Sequence, residues 1–194
     1  MIDRQTWFIA QSEERKQHIH TLESGIEAYG NTYRQYFSHL GMEPHIPGKK
    51  IIEIGCADFP ALYFCNSYEH GIIIEPMPSK ILMKLMVKKA ETIFLMDKPA
   101  EACDFPNVDE VWLFNVLQHV LDPLVIIEKA KKAAGKIRFF EPINTPLDKC
   151  HLHSFTLDYF KESLGDDVVK HYVSEPGVKN FHTQECAYGT WAKQ

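Results

Sequence analysis

Residues 48–78, GKKIIEIGCADFPALYFCNSYEHGIIIEPMP, constrain the fold more than any other stretch of the chain. Ile51 and Ile52 lead into Glu53, Gly55 and a tight turn, and a second run over 72–74 ends in Glu75. Short apolar runs of this kind belong to strands buried on both faces of a parallel sheet, and such strands deliver turns and carboxylates to a crevice at their C-terminal edge. Glu75 follows Glu53 by 22 residues (75 − 53), close to the ~20 at which an acid meets a ribose in a nucleoside-binding βαβ unit. A carboxylate there can accept hydrogen bonds from both ribose hydroxyls.

The rest of the chain fits one α/β core. Its 194 residues, 45% of them hydrophobic, suffice for one domain and fall short of two plus a linker. Residues 1–46 form a helical extension: Trp7, Ile19, Leu22, Ile26, Tyr29, Tyr33, Tyr36, Phe37 and Leu40 recur mostly at steps of three and four. Gly41 and the prolines at 44 and 47 close it. From 47 to 194, strand-like runs at 51–54, 72–75, 92–96, 110–114 and 136–140 alternate with helical stretches at 60–65, 79–89 and 122–133. This alternation predicts a parallel sheet with helices on both faces. A helix at 157–164 and two strands, 168–173 and 185–191, follow, with a Pro-Gly turn in their connection.

Charge and cysteine usage narrow the function. A net charge of −5, from 21 basic and 26 acidic residues, lacks the footprint of a nucleic-acid binder and favours a small substrate. Five cysteines without a CxxC pair fit a reducing compartment. With no run of about 18 apolar residues or of signal-peptide length, a soluble cytoplasmic protein without membrane contact is expected. Cys150, His151 and His153 lack a fourth ligand at recognised spacing, so no metal site is expected.

The first turn separates nucleotide classes. Gly55 lets the backbone approach a ligand, and Asp58, before Pro60, is placed to cap the next helix. A dinucleotide fingerprint starting at Gly55 needs glycines where Ala57 and Pro60 stand, which disfavours NAD-type binding.

Four segments together resemble the class I, Rossmann-like methyltransferases that use S-adenosylmethionine, most closely their small-molecule branch. They are IIEIGCADF at 51–59, IIIEP at 72–76, DEVWLFNVLQHVLDP at 109–123 and HLHSFTLDYFKESLG at 151–165. The third is the most specific. The resemblance implies a three-layer, doubly wound, mostly parallel seven-stranded sheet with its last strand antiparallel. It also implies S-adenosylmethionine as cofactor, S-adenosylhomocysteine as product, and a small-molecule or sugar-like methyl acceptor. By position, Glu53, Gly55, Cys56 and Ala57 shape the methionine pocket, Glu75 and Pro76 meet the ribose, Met96 and Asp97 flank the adenine, and Asn115, Val116 and Leu117 line the other side. Ala57 and Phe59 replace two family glycines, so Phe59 is expected to narrow the pocket. Tyr33 and Arg34 reach the cofactor carboxylate if their helix lids the site.

Methyl transfer from a sulfonium is an in-line displacement driven by alignment in a dry pocket, and only some acceptors need a base. His119, His151 and His153 are the candidate bases, with Glu141 at the same edge. The alternative is a fold that holds S-adenosylmethionine or S-adenosylhomocysteine without catalysis. Oligomeric state is left open.

Overall fold

The computed structural model describes residues 2–17, 22–87, 92–174 and 185–193. Helices α1 (Arg4–Gln17) and α2 (Leu22–Leu40) precede the sheet. Strands β1 (Lys50–Ile54), β2 (His70–Ile74), β3 (Ile93–Met96), β4 (Val108–Phe114), β5 (Ala134–Pro142), β6 (Val169–Tyr172) and β7 (Cys186–Ala192) build it, with α3 (Lys80–Val87), α4 (Pro123–Ala133) and α5 (Leu157–Leu164) between them. Their order across the single sheet is β3-β2-β1-β4-β5-β7-β6. Pairings from β3 to β5 are parallel, and β7 runs against both β5 and β6. This is the expected doubly wound sheet with an antiparallel last strand. Ile19, residues 88–89 and the Pro-Gly turn at 176–177 lie outside the described residues.

Strand alternation splits the core between two faces. Val111 and Leu113 of β4 and Ile137 and Phe139 of β5 point to one face, where Ile126 and Ile127 of α4 and Phe160 and Leu164 of α5 cover them. Trp112, Phe114 and Phe140 point to the other, against Leu82 and Leu85 of α3 and Tyr33, Tyr36 and Phe37 of α2. The period of two in the strands and the three-to-four spacing in the helices meet here. The aromatic stripe of α2 is therefore core, and the helical extension supplies part of one layer.

Two helices carry side-chain caps at their N-termini. Asp122 accepts a hydrogen bond from Val125 N ahead of Pro123 in α4, and Thr156 one from Tyr159 N in α5. The stretch at 60–65 differs: it is a 3₁₀ turn, Ala61–Phe64, to which Pro60 contributes no side-chain cap. Asp58 does not cap it. The Glu53 carboxylate does, from the end of β1, accepting from Ala61 N at 2.6 Å and Leu62 N at 2.9 Å.

Phe59 does not narrow the crevice either. Its ring is fully buried, stacks on Tyr29 at 5.0 Å and sits against α2 at Gly25, where a Cβ would lie 2.1 Å from the ring. A glycine missing from the turn is thus matched by one in the facing helix.

Candidate functional site

A cavity of about 270 Å³ opens at the C-terminal ends of β1, β2 and β4. The chain proceeds from β1 outward to β3 and returns to β4 on the other side of β1, so the cavity lies where the winding direction reverses. Open α/β sheets place ligands at this switch point.

The floor is the turn after β1. Gly55 has φ +61°, and a Cβ there would lie 2.2 Å from Val116 Cγ2, so both backbone and space demand glycine. Ala57 holds a left-handed φ of 49° in a segment where the related motif has glycine. Glu75, at the end of β2, reaches across to this turn: its carboxylate accepts from Cys56 N and Ala57 N at 3.2 Å and from Met77 N at 3.1 Å. Burial raises its pKa, an effect these amides partly offset. The acid that the sequence reading assigns to a ribose and the turn it assigns to the methionine pocket are thus in contact.

Of the residues expected to bind cofactor, Gly55, Cys56, Ala57, Glu75, Pro76, Asn115 and Val116 line the cavity. Glu53, Met96, Asp97 and Leu117 do not. Glu53 is spent on the 3₁₀ turn, and burial pushes its pKa up to about 7. Met96 packs against the core, Asp97 is exposed, and the wall on that side comes three residues later from Pro99, Ala100 and Glu101. Leu117 N donates to Glu141 at 3.1 Å. That same Glu141, whose pKa burial pushes up to about 8, also receives Val116 N, so it braces the β4 turn from beneath. Tyr33 lines the cavity, but its hydroxyl donates to Phe59 O at 2.8 Å, while Arg34 is exposed and bonded to Asn31.

The candidate bases fare differently. His119 borders the cavity with both ring nitrogens engaged: Nδ1 lies 2.7 Å from Glu14 Oε2 and 3.0 Å from Cys150 O, and Nε2 lies 3.0 Å from Gln118 Nε2. Burial is the largest influence and lowers its pKa, but Glu14, Cys150 O and Glu141 together outweigh it and the net shift is upward. His151 is held by Asp148 at 2.9 Å and His153 by Val120 O at 2.9 Å, and neither lines the cavity. The loop carrying them braces His119 through Cys150 O.

Helix α1 supplies what the sequence reading missed. Trp7, Gln11, Glu14 and Arg15 all face the cavity. Trp7 Nε1 and Gln11 Nε2 donate to His119 O at 3.0 and 2.7 Å, and Arg15 donates to Met77 O. Their spacing of four, three and one puts them on a single helix face, a signal present in the sequence but indistinguishable there from a solvated stripe.

No protein-family model matches the chain, and no curated protein matches its sequence. Solved structures do match. The N-methyltransferase NodS from Bradyrhizobium japonicum WM9, in complex with S-adenosylhomocysteine, is similar over 85% of this chain and 87% of its own, with 11% identity and a TM-score of 0.58. The N-terminal domain of EvdMO1, in the presence of S-adenosylhomocysteine and D-fucose, matches over 84% and 82% with 14% identity and a TM-score of 0.56. The [4+2]-cyclase SpnF matches over 84% and 80% with 12% identity and a TM-score of 0.60. The chain has the Rossmann-like methyltransferase fold.

Proposed function

We propose that the chain binds S-adenosylmethionine in the switch-point cavity and transfers its methyl group to a small-molecule or sugar-like acceptor. The observation that carries this is the convergence of the Gly55 turn and the Glu75 carboxylate on one cavity. The fit is chemical: Gly55 leaves backbone where a Cβ would clash, and Glu75 is a buried acceptor able to exchange amide partners for hydroxyls. Bound there, the cofactor would supply an electrophilic methyl on a sulfonium. Two neighbours whose structures contain S-adenosylhomocysteine, one of them alongside a sugar, support the same reading.

What the residues of this chain contribute is exclusion and alignment. Trp7, Tyr29, Tyr36 and Phe114 wall the cavity with aromatic surface, and α1 closes over it through His119 and Met77. Water exclusion of this kind favours displacement of a dispersed positive charge. His119 acts as a positioning residue for α1, because neither ring nitrogen is free to take a proton from an acceptor.

That commitment of His119 favours a second reading, binding without transfer, and the fold is also carried by a cyclase. Calorimetry with S-adenosylmethionine and with NAD, followed by transfer of labelled methyl to a metabolite extract, separates the two. Binding of the first ligand and labelling of an extract component are expected. Binding without labelling selects the second reading, and failure to bind S-adenosylmethionine refutes both.

A further inference from the structure

Glu141, at the end of β5, lies beneath the cavity floor and is fully buried. Both its oxygens accept from the turn after β4: Val116 N at 3.1 and 3.0 Å, and Leu117 N at 3.1 Å. Among the described residues it forms no ion pair. Four titratable side chains lie within its electrostatic reach: His119 from the turn after β4, Tyr36 from α2, Cys186 from β7 and Tyr159 from α5. Burial holds the two phenols and the thiol neutral, and the His119 ring is already paired with Glu14 at 2.7 Å. Burial, offset only in part by the two amides and His119, pushes the pKa of Glu141 up to about 8, so the carboxyl keeps its proton at neutral pH.

From this placement we infer that Glu141 distinguishes the sulfonium cofactor from its uncharged thioether product, giving up its proton when the cation binds and regaining one when the charge is gone. The inference rests on the cofactor reading above and deepens it. The two molecules share adenine, ribose and amino-acid tail, and differ by one methyl and one positive charge. Contacts to the shared parts therefore discriminate little between them. The sulfur is bonded to the 5′ carbon of the ribose, so a ribose at Glu75 brings the charge toward the floor that Gly55 and Val116 form. Val116 N is the group that Glu141 holds from the other side. Across that single layer of backbone, in surroundings of low dielectric, a cation favours the carboxylate over the acid. On binding, the carboxyl O–H breaks and its proton leaves to water. Once the methyl has moved, the sulfur is neutral and a proton returns from water, which weakens the hold on product relative to cofactor.

The test is charge discrimination as a function of pH. Equilibrium binding of S-adenosylmethionine and of S-adenosylhomocysteine is measured from about pH 6 to about pH 9.5, a range that spans the carboxyl's titration, on the wild-type chain and on Glu141→Gln. Titration of the ligands themselves, and of Glu53 and Glu75, is common to both proteins, so the comparison isolates Glu141. Across the range, the wild-type preference for the sulfonium, divided by that of the variant, is expected to grow about tenfold, the effect of one pKa unit of coupling. Equal weakening of both ligands at every pH would reduce Glu141 to a brace of the turn, and an unchanged preference would mean that it does not feel the cation; each overturns the inference. Infrared difference spectra of the wild-type chain check it without any variant. At neutral pH, S-adenosylmethionine should remove the carbonyl band of a protonated carboxyl and S-adenosylhomocysteine should leave it, and the same response to both ligands refutes the proton exchange. If the wild-type chain binds neither ligand, the cofactor reading itself fails, a result distinct from those above.

Discussion

Replacing Gly25 with alanine sets two physical effects against each other with opposite signs. On propensity alone, alanine in a helix interior is more stable than glycine by about 1 kcal/mol. The packing says otherwise. A Cβ at Gly25 would sit 2.1 and 2.2 Å from two Phe59 ring carbons, where carbons rest at about 3.5 Å or more, so the ring would have to retreat by roughly 1.4 Å. It has nowhere to go, being fully buried with Tyr29 stacked at 5.0 Å. Overpacking of this kind costs about 1 to 3 kcal/mol, and a clash this deep belongs at the upper end. The expected net loss is therefore about 2 kcal/mol, or about 4–8 °C in Tm for a domain of this size. Chemical denaturation with near-ultraviolet circular dichroism measures it, and Phe59→Leu in the Gly25→Ala background should recover part of the loss. A more stable Gly25→Ala variant would refute the placement of Phe59 against α2, and with it the account of how the cavity stays open without the second and third glycines.

Further outcomes follow from the site. Burial raises Glu53 to about 7 and Glu141 to about 8, so the folded chain binds protons that the unfolded one has released, and stability falls as pH rises from about 5 to 8 by up to roughly 3 kcal/mol per group. His119 adds to the same trend: its raised pKa gives stability that is complete below the ordinary histidine range and lost as pH climbs through the folded value. Denaturation midpoints across that pH range check the sign, and Glu141→Gln should flatten the slope, whereas stability rising with pH would contradict it. Ala57→Gly should stabilise the chain by about 0.5 to 1 kcal/mol, because relief of left-handed strain exceeds the added chain entropy; a loss in thermal denaturation would count against strain at that turn. Glu14→Gln keeps a hydrogen bond to His119 but removes the charge, so ligand release measured by stopped-flow Trp7 fluorescence should quicken several-fold, and an unchanged rate would mean that α1 does not gate the cavity.

Much of this architecture was legible because local pattern and tertiary demand agree. The helix at 157–164 has its predicted bounds, with Thr156 as cap, and the buried runs before Gly55 and Glu75 are β1 and β2. Where the sequence reading departed from the structure, a distant partner decided the outcome. Asp58 reads as a cap, but Glu53 reaches the same amides from beneath and leaves Asp58 facing the cavity. Phe59 reads as an obstruction until Gly25, 34 positions earlier, is seen to accept its ring. Likewise His119 reads as a base beside the transfer point, but Glu14 and Cys150, both remote in sequence, claim its ring. Helix periodicity could place Trp7, Gln11, Glu14 and Arg15 on one face, but not reveal that this face closes a cavity.

The account turns on an adenosyl ligand held by Glu75 beside the Gly55 turn, and calorimetric titration of the wild-type chain and Glu75→Gln with S-adenosylhomocysteine tests it most directly. One ligand per chain is expected, with affinity falling about 5- to 150-fold in the variant, the equivalent of about 1 to 3 kcal/mol for a charged hydrogen bond. No binding by the wild-type chain, or the same dissociation constant for both proteins, would contradict the claim.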